Sequence, residues 1–354
     1  MDDIQDQFSG TMQVRDQHRF DEGRLQDYLK RELGNFQGDI TVEQFKGGQS
    51  NPTYKVTAGA QSYVLRRKPP GDLLPSAHAV DREYKVIAAL QDTPVPVPRA
   101  YLLCQDSEVV GTPFYLMEWL DGVVYWDQTL PEKNAGERAA IYREMNRVLA
   151  DLHLVDRNAV GLADFGKEGE YLERQIHRWS KTYRISQTQE IPEMDRLMDW
   201  LPENIPGPDE TSLVHGDYRM DNMIFHPTEP RVLGVLDWEL STLGHPLADF
   251  TYHLMAWRLE GGHFRGIGDA DLASLSIPSE DEYVRFYCEK TGRDGIPHLD
   301  WYMAYNMFRL AAILQGIAKR AIDGTAASEH AVAQGERAKP MAELAWKQIA
   351  AVAG

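Results

Sequence analysis

The chain has 354 residues, enough for two domains, and its 43% hydrophobic and 26% charged content is typical of a soluble globular protein. The formal net charge of −17 argues against a nucleic-acid-binding protein, and the apolar runs are too short and interrupted to cross a membrane. The first residues are acidic and polar, which predicts no signal peptide, and two distant cysteines, Cys104 and Cys288, indicate neither a disulfide framework nor a metal site. We therefore expect a cytoplasmic protein that binds neither nucleic acid nor membranes.

Short β-rich runs dominate the first third of the chain. Residues 1–19 are predicted to be a flexible tail, and apolar residues at helical spacing predict a helix over 20–33 that ends at Gly34. Five strands are predicted at 40–45, 53–57, 62–67, 99–104 and 113–119. One helix, over about 77–90, interrupts them and ends before a proline-rich segment. Residues 20–120 are therefore predicted to form a small antiparallel sheet with one helix.

Helical spacing dominates the rest of the chain. One apolar stripe predicts a long helix: Ile141, Met145, Val148, Leu149 and Leu152. Further helices are predicted at 171–183, 249–259, 281–290, 301–321 and 326–350. The strongest β pattern in this part is a hairpin over 223–236. Residues 121–354 are thus predicted to form a larger, mainly helical domain, and the fold class is α+β.

A glycine-rich segment lies between the first two predicted strands, 40–45 and 53–57. Gly47 and Gly48 would let the backbone turn tightly and present its N–H groups to an anion, although a plain hairpin turn explains them equally well. The segment does not have the Walker A pattern, which argues against a P-loop.

A basic residue and an acidic residue are placed to meet near this turn. Strand alternation puts Arg66 and Lys68 on one face of the third strand. Glu83 lies between Val80 and Ile87 on the apolar stripe of the next helix, where a carboxylate needs a partner. Arg66 is the best candidate. The pair is either a structural ion pair or a device that holds a cation on nucleotide phosphates, and the motif described next favours the second interpretation.

The most informative motif runs from His215 to Asn222 and is followed by Asp237. The predicted hairpin would bring Asn222 and Asp237 close together, and their oxygen atoms are the kind of ligand that Mg²⁺ takes together with phosphate and water. Asp217 could then orient a hydroxyl group towards a phosphorus atom. The pattern predicts a phosphotransferase.

Other interpretations of the motif are weaker. A metallohydrolase would use histidines such as His215, His226 or His245 with Asp217, but they lack the spacing of a transition-metal site. A serine hydrolase lacks its Gly-x-Ser-x-Gly motif. Several large side chains could line a cleft for the acceptor, although packing explains them more readily: Tyr218, Trp238, Tyr252, His253, Trp257, Tyr302 and Tyr305.

Taken in order, these motifs resemble those of the aminoglycoside phosphotransferase (choline-kinase-like) family. The order is glycine-rich turn, cation on the third strand, helix glutamate, Met-Glu-Trp-Leu connector, His-Gly-Asp-x4-Asn and Asp-Trp-Glu. The resemblance covers residues 20–320 or so and implies a protein-kinase-like fold with a small antiparallel β-sheet N-lobe and a larger helical C-lobe. Residues 65–82 are most similar to the branch whose kinase-like domain is fused, in some proteins, to an acyl-CoA dehydrogenase domain.

The resemblance implies a role for each matching residue. Asp217 matches the catalytic base that receives the acceptor's proton, and Asn222 and Asp237 match the magnesium ligands. His215 matches a residue that supports the catalytic loop, as does Asp249, which a helix N-cap would also explain. The nucleotide-binding residues are implied in the same way: Gly47, Gly48, Ser50, Asn51, Arg66 and Glu83 on the phosphate side, and the backbone of Met117, Glu118 and Leu120 on the base side.

The implied function is Mg²⁺-dependent transfer of the terminal phosphoryl group of ATP or GTP to a hydroxyl group of a small molecule. The branch suggests a hydroxyacyl-CoA or a hydroxy acid as acceptor, with an aminoglycoside or amino alcohol as the alternative. The chain departs from the family at Arg66, where a lysine is usual, and arginine differs from lysine in reach and geometry. That departure leaves open a pseudokinase that binds the nucleotide without transferring phosphate.

Overall fold

The first third of the chain builds an antiparallel sheet. The computed structural model describes residues 10–34, 36–46, 51–71, 79–264, 266–325 and 331–353. Within them a six-stranded sheet has the order β1-β2-β3-β4-β6-β5, with all neighbours antiparallel. The strands are β1 (Thr11–Met12), β2 (Ile40–Phe45), β3 (Thr53–Ala58), β4 (Gln61–Arg67), β5 (Ala100–Cys104) and β6 (Phe114–Glu118). The five predicted strands are confirmed, and β1 was not predicted.

Alternation along the strands gives the sheet its buried face. In β3, Tyr54, Val56 and Ala58 point into the core while the residues between them are partly exposed. Helix α1 (Glu22–Glu32) begins after Asp21, whose side chain accepts a hydrogen bond from the backbone of Arg24, and buries Leu25 and Leu29 completely. Each fully buried leucine of this kind contributes roughly 1.5–3 kcal/mol.

The helix that follows β4 carries the predicted acidic residue. Helix α2 (Val80–Leu90) buries Val80, Glu83, Val86, Ile87 and Leu90, which recur at helical spacing along one face. Glu83 therefore lies on the buried face with these apolar residues, as its position in the sequence predicted. The short helix α3 (Ser107–Val110) connects β5 to β6.

Two short β pairs occur among the described residues that follow the sheet. The predicted hairpin is confirmed: β8 (Met223–Phe225) pairs with β9 (Val232–Val235), and Met223 lies opposite Val235. A second pair, β7 (Ser212–Val214) with β10 (Thr242–Gly244), was not predicted. Three-residue strands are too short to produce a recognisable alternation.

Helices make up most of the remainder. Helix α4 (Ala135–His153) begins with a capping box between Asn134 and Glu137 and carries the predicted apolar stripe. The other helices are α5 (Tyr171–Ser186), α6 (Pro192–Glu203), α7 (Pro246–Leu254), α8 (Gly261–Phe264), α9 (Leu272–Leu275), α10 (Glu280–Thr291), α11 (Leu299–Ile322), α12 (Ala331–Gly335) and α13 (Ala338–Ala353). Helix α6 was not predicted, and its last turn contains Pro202, a residue that argues against a helix interior.

The described chain forms two compact units. The first unit comprises Met1–Glu132, Asn158–Leu162 and Arg219–Ser241, and the second comprises Lys133–Arg157, Ala163–Tyr218 and Thr242–Gly354. The predicted lobe boundary near residue 120 stays a prediction. The division into compact units assigns the β8–β9 hairpin to the first unit, together with the N-terminal sheet. None of the helices in the described ranges combines the length and apolar character that a bilayer crossing requires.

Candidate active site

Arg66 is the centre of a charged cluster in the first unit. It lies near the end of β4, and its Nε is 2.9 Å from Glu83 Oε2 while its Nη2 is 2.7 Å from Asp237 Oδ1. Glu239 Oε2 lies 3.6 Å from the same Nη2. Burial alone would lower the pKa of Arg66, but the negative charges of Glu83 and Asp237 outweigh it and raise that pKa. The guanidinium group therefore stays charged, and it bridges two of the predicted site residues, Glu83 and Asp237.

Glu83 is fixed by uncharged partners as well as by Arg66. Its side chain is 1% exposed, Asn51 Nδ2 donates to Oε1 at 2.8 Å, and Tyr115 Oη donates to Oε2 at 3.1 Å. Burial raises the pKa of Glu83, and the charge of Arg66 and the two neutral donors offset only part of that effect. Asn51, for which a place over the phosphates was predicted, is seen to hold Glu83. Gly47, Gly48 and Ser50 lie outside the described residues.

Asn222 and Asp237 lie at the open end of the β8–β9 hairpin. The backbone N–H of Leu236 donates to the carbonyl of Asn222 at 2.8 Å, which continues the pairing one step beyond Met223 and Val235. Asp237 has φ 63°, the left-handed conformation, which is uncommon for residues other than glycine and often marks functional positions. The hairpin thus brings the amide and the carboxylate to neighbouring positions, as the sequence predicted.

These donors fit Mg²⁺ held together with a nucleotide. Both side chains offer oxygen atoms, and Mg²⁺ is bound through one or two carboxylates plus phosphate and water rather than by a full protein cage. In the described part of the chain no group of three or more His, Cys, Asp or Glu could hold a metal ion without outside ligands. The Asp237 side chain is 32% exposed, so it remains accessible.

The predicted connector lies at the end of β6. Met117 is buried opposite Val64, and Glu118 pairs with Tyr63. The backbone N–H of Glu118 already donates to the carbonyl of Arg99 at 2.8 Å. That N–H is therefore not directed at a nucleotide base, and the base contacts predicted for Met117, Glu118 and Leu120 stay predictions.

The loop that leads to Asp217, the predicted catalytic base, belongs to the second unit and is held by Asp249. Asp249 Oδ2 accepts from the backbone N–H of His215 and Oδ1 accepts from that of Gly216, both at 2.8 Å. His153 Nε2 lies 3.2 Å from Oδ2. Burial would raise the pKa of Asp249, but the hydrogen bond and charge of His153 outweigh it and keep that pKa below its usual value. The alternative N-cap role of Asp249 is wrong, because α7 begins at Pro246 and His245 caps it.

His215 and Gly216 shape the loop from within. The His215 side chain is fully buried, and its Nδ1 accepts from the backbone N–H of Asp217 at 3.2 Å. Gly216 has φ 85°, a conformation that strongly favours glycine. The predicted supporting role of His215 agrees with this position, and the loop leads directly to the carboxylate of Asp217.

Two residues that were not assigned to the site contact this loop. Tyr252 Oη donates to Asp217 Oδ1 at 2.6 Å, and Arg309 Nη2 donates to the carbonyl of Gly216 at 2.7 Å. Of the seven large side chains considered for a cleft, Tyr252 alone is partly exposed, and the other six are buried. The sequence signal that could have identified Tyr252 is its spacing of three from Asp249, which puts both residues on one face of α7.

Comparisons with known proteins agree with this geometry. The model of the "Phosphotransferase enzyme family" matches residues 41–284. Mouse acyl-CoA dehydrogenase family member 10 is 47% identical over 339 residues, which is 95% of this chain and 32% of that protein, so the chain spans about a third of that relative's length. A crystal structure of a candidate aminoglycoside phosphotransferase from Ralstonia eutropha is 52% identical with a TM-score of 0.88, covering 94% of this chain and 99% of the other.

A more distant structure shows the same fold. It is a thermostable mutant of aminoglycoside phosphotransferase APH(4)-Ia in a ternary complex with AMP-PNP and hygromycin B, 16% identical with a TM-score of 0.59 over 92% of this chain and 98% of the other. The predicted fold class and the resemblance to the aminoglycoside phosphotransferases, including the acyl-CoA dehydrogenase-associated branch, are confirmed.

Proposed function

Because the chain belongs to the phosphotransferase enzyme family, we propose that it moves the terminal phosphoryl group of ATP or GTP, bound with Mg²⁺, to a hydroxyl group of a small molecule. The observation that carries the proposal is the fixed catalytic loop: the backbone of His215 and Gly216 is held by Asp249, and Asp217 follows at its end. A predicted cytoplasmic location is part of this proposal. A pseudokinase would not need Asp217, and here that carboxylate is present and hydrogen-bonded.

Arg66 is proposed to bind the phosphate groups. It is anchored by Glu83, and its forked head has several N–H groups with which to donate to phosphate oxygens. Asn222 and Asp237 would hold Mg²⁺, which when bound neutralises charge on the phosphates. The bound nucleotide of the distant phosphotransferase complex supports a nucleotide co-substrate for this chain.

Asp217 is proposed to orient the acceptor and take its proton. The acceptor hydroxyl donates a hydrogen bond to the carboxylate, and its proton moves to Asp217 as the oxygen bonds to phosphorus and the bond from phosphorus to the nucleotide breaks. Most of the rate enhancement in such transfers comes from positioning and charge neutralisation. The loop contacts described above serve that purpose.

A hydroxyacyl-CoA or a hydroxy acid is the proposed acceptor. The support is the relative with acyl-CoA dehydrogenase in its name, which matches 95% of this chain. An aminoglycoside or amino alcohol is the second candidate, favoured by the name of the 52% identical structure.

A nucleotide-consumption screen across these acceptor classes, with and without Mg²⁺, tests the proposal. We expect Mg²⁺-dependent consumption with one class, and a fall of ~10²-fold or more in Asp217→Asn, as expected for losing a positioned base. Asp221→Asn is the matched control, because Asp221 belongs to the same sequence motif, is paired with Arg219 and has no proposed role. Consumption that Asp217→Asn leaves unchanged, or nucleotide binding without consumption for every acceptor, would contradict the proposal.

A further inference from the structure

Helix α7 holds three consecutive residues of the catalytic loop. Asp249 binds the backbone of His215 and Gly216, and one helical turn later Tyr252 binds the side chain of Asp217. Residues three apart on a helix lie on the same face, so one rigid element sets both the path of the loop and the direction of its carboxylate.

The Tyr252 ring is itself held in place. The guanidinium carbon of Arg309, on α11, lies 4.8 Å from the centroid of the ring, a cation–π distance. The same guanidinium donates to the carbonyl of Gly216, and Arg309 is 7% exposed. Arg309 therefore connects the loop backbone to the ring of Tyr252, and the ring cannot turn without giving up this contact.

We infer that Tyr252 is a positioning residue for the reaction. By donating to Oδ1 of Asp217 at 2.6 Å, it fixes the rotation of the carboxylate about its Cβ–Cγ bond, and so the direction in which the base meets the acceptor's hydroxyl. Tyr252 keeps its own proton throughout, and the proton that moves is the acceptor's. This inference rests on the proposed function, since it assigns Asp217 as the base.

Loss of the Tyr252 hydroxyl should lower the rate less than loss of the base itself, but the effect should still be measurable. Loss of a general base costs 10²–10⁴-fold, and small errors in the position of reacting groups can cost up to about 10²-fold. Removing the hydroxyl leaves the base in place but takes away a contact that orients its carboxylate. We therefore expect Tyr252→Phe to lower kcat by ~10-fold, within the range for a loss of orientation alone.

The experiment compares two variants that each lose one phenolic oxygen. Tyr305→Phe is the control, because Tyr305 is 1% exposed and its hydroxyl has no hydrogen-bond partner among the described residues. Mg²⁺–ATP consumption is measured with water as the acceptor and with the best acceptor of the screen. We expect Tyr252→Phe to lower kcat while the KM for ATP and the melting temperature stay those of the wild type. Tyr305→Phe should change none of them.

A double-mutant cycle separates positioning from other roles. If Tyr252 acts through Asp217, then Tyr252→Phe should cause no further loss in the Asp217→Asn background. An equal loss in both backgrounds, or no loss in either, would overturn the inference while leaving the proposed function standing.

A measurement without turnover tests the contact itself. The carboxyl ¹³C resonance of Asp217, identified by its absence in Asp217→Asn, should move in Tyr252→Phe and stay in place in Tyr305→Phe. An unmoved resonance in Tyr252→Phe would overturn the inference. A wild-type protein that consumes no ATP under any condition would overturn the inference and the proposed function together.

Discussion

The cluster around Arg66 and the loop around Asp249 hold their functional groups in different ways. The Arg66 cluster is built from side-chain ion pairs to Glu83 and Asp237, and Asp237 is partly exposed. The Asp249 loop is built from buried hydrogen bonds to backbone N–H groups. Phosphate or a cation can replace an ion-pair partner, whereas a buried backbone N–H has no substitute for its acceptor. The first region is thus suited to exchanging ligands and the second to keeping a fixed shape.

Removing the acceptor of the loop should have the largest effect. Asp249→Ala leaves two buried backbone N–H groups without an acceptor and removes a partner of His153, which should lower the free energy of unfolding by about 4 kcal/mol. Turnover should be lost with it. Denaturant unfolding of the variant, read by circular dichroism, measures the change.

The matched control for that substitution is Asp271→Ala at the exposed N-cap of α9, where the loss of stability should be much smaller. If the two variants lose similar stability, the loop is not held chiefly through Asp249, and the contrast between the two regions disappears.

The second unit should also lose stability in acid. Burial lowers the pKa of His253 from 6.5 to about 4, against the opposing charge of Asp249. Between pH 6.5 and pH 4 the unfolded chain binds a proton that the folded chain does not, so stability falls as the pH falls through this window. At 1.36 kcal/mol per pH unit, His253 accounts for a loss of about 3 kcal/mol.

Unfolding curves at several pH values measure this loss. His253→Gln should flatten the dependence of stability on pH between 6.5 and 4, even if its overall stability is lower. His177→Gln, at an exposed position of α5, should leave the dependence as it is in the wild type. Equal slopes for wild type and His253→Gln would show that other groups carry the acid sensitivity.

A smaller effect is expected in the Arg66 cluster. Arg66→Lys restores the residue usual in the family, but a single ammonium cannot reach Glu83 and Asp237 as the two ends of the guanidinium do. Asp237 then loses a competing cation, and the Mg²⁺ concentration needed for nucleotide binding should fall by ~3-fold, the size expected for a partly exposed ion pair.

Nucleotide binding titrated with Mg²⁺ measures this change, with Arg82→Lys as a control at an exposed arginine of α2. A higher Mg²⁺ requirement in Arg66→Lys would mean that Arg66 assists the metal site rather than competing with it.

Sequence patterns predicted the structure correctly where an element is defined by residues that are close together in the chain. Strand alternation located β2 to β6, and the apolar spacing of α2 placed Glu83 on its buried face. The hairpin from Met223 to Val235 followed from two short apolar runs and a turn, and it brought Asn222 beside Asp237. The β7–β10 pair and α6 were missed, because short strands and a proline in a helix carry weak or contrary local signals.

The sequence by itself determined the class of chemistry, since the residue types and spacing from His215 to Asp237 point to phosphate transfer without any knowledge of the fold. Only the tertiary structure decided which residues assist that chemistry. Tyr252 is 35 residues from Asp217 and Arg309 is 93 residues from Gly216, while Arg66 is 171 residues from Asp237. Periodicity and motif spacing describe neighbours along the chain, and contacts at such separations arise only when packing brings distant elements together.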